Sequence, residues 1–143
     1  TSCGIHRSQS YYDQKSQIIG TELDGSYAIR CWGEGRNSDE ALNEVMKKAV
    51  YDVVFNGVES GSSSIQSLKP LLLTVNAKDK YAVWSNSFFE DGGDYLKYCS
   101  RHDRRTGSSR FVRNRNQVLC QSVVTVDVAA LKAALKDYYG IIK

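Results

Sequence analysis

Proline is almost missing from this 143-residue sequence, with Pro70 alone, and methionine is confined to Met46. That excludes proline-rich and collagen-like architectures, while 41% hydrophobic and 24% charged residues match ordinary globular usage and exclude a disordered chain. Long apolar runs are also absent. The stretch beside Pro70 reaches only Leu71-Leu72-Leu73, against the ~18 residues a spanning helix needs. Four cysteines, at 3, 31, 99 and 120, are too few for a disulfide scaffold, and no CxxC pair suggests zinc or redox chemistry. Histidine occurs only at His6 and His102, which leaves little for acid–base catalysis. At this length, one domain with a hydrophobic core is expected.

Charge is nearly balanced in total and uneven in place. There are 19 basic and 16 acidic residues, for a net +3. Between residues 101 and 115, however, Arg101, Arg104, Arg105, Arg110, Arg113 and Arg115 face only Asp103, a local +5 on a body of −2. The guanidinium fork suits phosphate and carboxylate, so this segment is a candidate anionic-ligand or nucleic-acid site. A solvated hairpin whose charges resist edge-to-edge pairing is the favoured alternative. Phe111 is the only aromatic among these arginines, so the stacking platform of a single-strand binder is missing and nucleic acid is the less favoured partner.

The first residues read as an anchor. Thr1 stands where an initiator Met would, so the chain is read as a trimmed form with a segment upstream. Cys3, between the small residues Ser2 and Gly4, fits the lipidated cysteine of a bacterial lipoprotein, and the polar stretch that follows reads as a tether over 1–17. Acyl chains adding about 0.8 kcal/mol per buried CH₂ hold such a domain on a membrane. An incidental terminal thiol is the alternative.

The rest, 18–143, reads as a single α+β domain, an antiparallel sheet with helices on one face in the order ββα-α-ββα. Asp24-Gly25 signals a two-residue hairpin between strands over 18–23 and 26–34, with Tyr27, Ile29 and Cys31 on one face. Asn37 to Glu40 starts a helix ending near Gly57, its stripe Leu42, Val45, Met46, Ala49 and Val53, with Glu44, Lys47, Lys48 and Asp52 opposite. Asn76 and Asp79 look like a capping box opening a second helix to Phe89, whose stripe Tyr81, Trp84, Phe88 reads as core or, less readily, as a ligand groove. Residues 95–100 fit a helical turn or a strand. A β-branched strand over 118–128, its neighbour within 98–112, and a helix over 128–139 complete the order.

No motif carries an evident reaction. Gly33-Glu34-Gly35 is similar to a dinucleotide fingerprint, but Ser38 stands where the third glycine belongs, and a tight strand-to-helix connection accounts for it. A hydrolytic site would need His102, with Asp103 adjacent and pointing elsewhere in an extended segment. Glu90, Asp91 and Asp94 lack the alternating ligands of a calcium loop. Cys31 and Cys120 face one side of adjacent strands and are the candidate disulfide. No catalytic residue, metal or cofactor is therefore expected.

Gly33-Glu34-Gly35 leading into the Ala41/Ala49 helix, Asn76-Ala77-Lys78 before the aromatic helix, and Val124-Thr125-Val126 followed by Leu131, Leu135 and Gly140-Ile141-Ile142 resemble small Gram-negative envelope lipoproteins. Their domain is related to the N-terminal domain of the flagellar assembly protein T and to LPP-type outer-membrane lipoproteins. The resemblance implies a non-enzymatic domain anchored through Cys3 at the periplasmic face of the outer membrane. Such a domain acts in assembly or scaffolding and binds an envelope protein or anionic envelope component. The absence of further domains departs from the flagellar protein.

Overall fold

The computed structural model describes residues 15–22, 24–61, 63–101, 110–114 and 116–142. Cys3, Leu23, His102, Asp103, Arg104, Arg105 and Arg115 lie outside them. The architecture is α+β, and its sheet is mixed. Strands β1 (Gln17–Thr21), β2 (Ser26–Gly35) and β6 (Gln117–Asp127) pair antiparallel, and β3 (Glu59–Ser60) adds one short parallel pairing to β1 at Gln17 and Ile18. Strands β4 (Cys99–Arg101) and β5 (Arg110–Asn114) both pair antiparallel with β6, giving the order β3-β1-β2-β6 and then β4 and β5.

Period-two alternation sets the faces. Tyr27, Ile29, Cys31, Gly33 and Gly35 of β2 lie opposite Val126, Val124, Ser122, Cys120 and Val118 of β6, and this face is the core side. The strand connection differs from a two-residue hairpin. Glu22 N–H donates to Ser26 O, and the Asp24 side chain accepts from Ser26 N–H, while Gly25 takes φ 90°. The Asp24 side chain thus closes a wider turn that a bare Asp-Gly pair would make tighter. The domain also reaches back to Ser16, which is buried.

Helix α1 (Ser38–Tyr51) begins where the Asn37 carboxamide oxygen accepts from Glu40 N–H, and it buries Ala41, Leu42, Val45, Ala49 and Val50 against β2 and β6. The two glycines of β2 let it approach the strand backbone. A Cβ on Gly33 would lie 2.6 Å from Val45 N, and one on Gly35 2.5 Å from Ala41 N. The Gly-Glu-Gly sequence is therefore a packing device.

A π turn over Asp52–Asn56 continues the helix, and Asp52, Val53, Val54 and Phe55 are all buried. The segment that follows the loop lies across it, with Leu71 and Leu72 N–H donating to the Val53 and Val54 carbonyls. Asp52 was expected on the polar side. It sits three residues after Ala49, at the edge of the apolar stripe, and the widened turn carries it inside.

The expected second helix is broken into α2 (Ala77–Lys80) and α3 (Ala82–Phe88). Asn76 does not cap it: its backbone is left-handed at φ 58° and its side chain makes no capping bond. The aromatic stripe is core. Trp84 stacks on Phe88 at 4.7 Å, and Phe89, Tyr51, Phe55 and Tyr139 join the cluster. Residues 94–101 take both expected forms in succession, a 3-10 turn over Asp94–Tyr98 and then β4. Helix α4 (Val128–Asp137) follows β6 directly, capped by Asp127, and Tyr139 O–H donates to Asp94 at 2.7 Å.

Replacing Gly33 by Ala forces a Cβ into the α1 backbone, so stability should fall by roughly 1–3 kcal/mol. Urea unfolding checks this as a lowered midpoint at unchanged slope.

Candidate functional site

The most developed polar site lies where α1 passes into the π turn. Lys48, Asp52 and Asn56 follow one another at helical spacing, and Ser16, the residue before β1, joins them from far away in sequence. Ser16 O–H donates to Asp52 Oδ2, Asn56 Nδ2 donates to Oδ1 at 2.8 Å, and Lys48 Nζ stands 3.4 Å from Oδ2. Behind Ser16, the Cys31 thiol donates to its Oγ at 3.2 Å. The buried carboxylate is thus held by a cation and two neutral donors, the arrangement that makes burial of charge tolerable.

A groove opens over this network in two lobes. One, of 330 Å³, is lined by Lys15, Ser16, Val58, Glu59, Ser67 and Leu68, and the other, of 420 Å³, by Glu44, Lys47, Tyr51, Ser85, Asn86 and Phe89. Lys48, Asp52 and Asn56 border both. Composition did not reveal this groove. Its sequence signal is the Lys48, Asp52, Asn56 spacing, whereas Ser16 and Ser67 converge on it only through the fold.

Burial raises the three described thiols. Burial pushes Cys31 up to about 12, against the lowering pull of its bond to Ser16. Burial likewise raises Cys99 to about 12 and Cys120 to about 11. A thiolate is the reactive form, and it is scarce at neutral pH under these conditions. Cys31 and Cys120 do share the core face of adjacent strands, but both are free thiols. Cys31 lies opposite Ser122 and Cys120 opposite Gly33, so the expected disulfide partners are offset by two residues and do not face each other.

Of the arginine segment, the described part lies on the two strands that flank β6. Arg101 and Arg113 are exposed on β4 and β5, paired with Val124 and Val118, and Arg110 belongs to the backbone of β5. Phe111 between them is 44% exposed. Asp91 pairs with Lys47 at 3.1 Å, and Asp94 pairs with Lys97 at 3.3 Å, so the acidic turn points its carboxylates apart. Among the described residues, no three His, Cys, Asp or Glu side chains converge for a metal, and no helix is long and apolar enough to cross a membrane.

Comparisons with protein-family models, with curated proteins and with solved structures find no match.

Two outcomes follow from the network. Asp52→Ala leaves Ser16 and Asn56 without their acceptor, and urea unfolding should show a loss of roughly 2–4 kcal/mol, whereas Lys48→Met, at the solvent edge, should cost less than about 1 kcal/mol. The raised thiols make the native state hold more protons than the unfolded one above their ordinary value of 9.0. Their contribution is complete below that pH and fades as pH climbs through 11 and 12, by up to about 1.4 kcal/mol per pH unit for each thiol. Thermal melts from pH 8 upward should show this decline, less steep in Cys31→Ala.

Proposed function

We propose that this chain is a non-enzymatic binding domain of the Gram-negative cell envelope, held at the periplasmic face of the outer membrane by acyl chains on Cys3. There it serves assembly or scaffolding. The observation that carries the binding reading is the state of its best polar site: the Asp52 carboxylate is held by Ser16, Asn56 and Lys48, and the neighbouring Cys31 remains a thiol. Fixed side chains around an open groove are what recognition requires.

The anchor reading is supported by the small residues Ser2 and Gly4 beside Cys3 and by the polar stretch that follows. A lipid-held domain needs such a spacer, and a single acyl chain binds a membrane only marginally, so two or more chains are required.

Metabolic labelling with an alkyne fatty acid in the native host tests this. The protein should take up label, lose it in Cys3→Ser, and fractionate with the outer membrane. An unlabelled, freely soluble native protein overturns the anchor.

A further inference from the structure

We infer that the two-lobed groove along the end of α1 is a binding site for a neutral oligosaccharide. The inference builds on the reading of this groove as a recognition site and stands whether or not Cys3 is acylated. Cavities of 330 and 420 Å³ adjoin at Lys48, Asp52 and Asn56, each within the size range of small-ligand sites.

Its charges cancel. Lys15, Lys47 and Lys48 stand against Glu44, Asp52 and Glu59, and Lys47 is already engaged by Glu44 and Asp91. Such a lining presents no net field to select an anion or a cation.

What it offers instead is groups that both donate and accept. Asn56 gives one N–H to Asp52 and keeps its carbonyl oxygen and second N–H. Ser67 Oγ accepts from Ser60 N–H at 3.0 Å and keeps its own O–H to give. Asn86 and Ser85 contribute a carboxamide and a hydroxyl to the other lobe. Sugar hydroxyl and acetamido groups have the same dual character, so each can be matched. Tyr51, half-buried at the rim, gives this lobe an apolar patch that the C–H edge of a sugar ring can meet.

An extended peptide fits less well, because it would need main-chain partners along the groove. Those donors are in use: Gly57 N–H goes to Asp52 O, Val58 N–H to Leu68 O, and Leu68 N–H to Val58 O. The site is also preorganised, since Asp52 fixes Asn56 before any ligand arrives.

Titration of isotope-labelled protein with chitotetraose and with maltotetraose, to roughly 10 mM, reads the site by NMR. With at least one of these neutral probes, the side-chain amides of Asn56 and Asn86 and the Gly57 amide should shift together and saturate. Affinity should be insensitive to salt, and Asn86→Ala, an exposed change that spares the fold, should weaken it about five- to tenfold. The inference is overturned if neither sugar moves these resonances, if the shifts lie elsewhere, or if Asn86→Ala binds as tightly. Binding in the groove only of a sulfated oligosaccharide that salt abolishes, or only of an extended Gly-Ser-Ala peptide, overturns it equally.

Discussion

The direct seating of α1 on the backbone of β2 is the constraint from which the rest of this molecule follows. Helices ordinarily stand off a sheet by the length of two side chains. Here Gly33 and Gly35 remove one layer, and Ala41 and Val45 rest against bare peptide. Beyond these low-seated turns the helix runs on into a segment where Asp52, Val53, Val54 and Phe55 are all buried while Asn56 stays exposed. An α-turn presents one face inward, and the π turn at 52–56 is the local answer, bringing four successive side chains inside. The buried carboxylate, the serine that precedes β1 and the groove beside them gather at this turn.

The same seating organises the aromatic layer. Tyr51 and Phe55 leave the end of the helix toward Trp84, Phe88 and Phe89, and the C-terminal Tyr139 closes the cluster from the other side, tethered by Asp94. Edge-to-face and offset contacts among these rings hold short elements that have little helical strength of their own, since α2 is one turn and α3 two. The C-terminal segment and the middle of the sequence are thereby fastened to one another.

Elements governed by local periodicity were legible in the sequence. The alternation of Tyr27, Ile29 and Cys31, the 3.6-residue stripe from Leu42 to Val53, and the β-branched run into Val128 each reported the face that is buried. Elements governed by distant partners were not. Asp52 reads as one more polar residue until Ser16, just before β1, is brought to it, and Asn76 reads as a cap because its left-handed backbone depends on the loop it leaves. Capping boxes and charged faces are arguments about neighbours along the chain, and at these positions neighbours in space prevail. The arginine segment was visible as composition. Its geometric meaning, two short strands on one flank of β6, required the pairing.

Those two strands occupy the same flank in line. Arg101 sits opposite Val124 and Arg110 opposite Gln121, so positions three apart on β6 are joined by a connection of eight residues. A regular strand would bridge that interval with two. The register is set by pairing with β6 on both sides of this connection, so added length and charge there impose no shift on either half. The molecule therefore separates what must stay constant from what is at liberty to vary: the hydrophobic architecture is written into β6 and α1, while the electrostatic character of this border can be revised residue by residue.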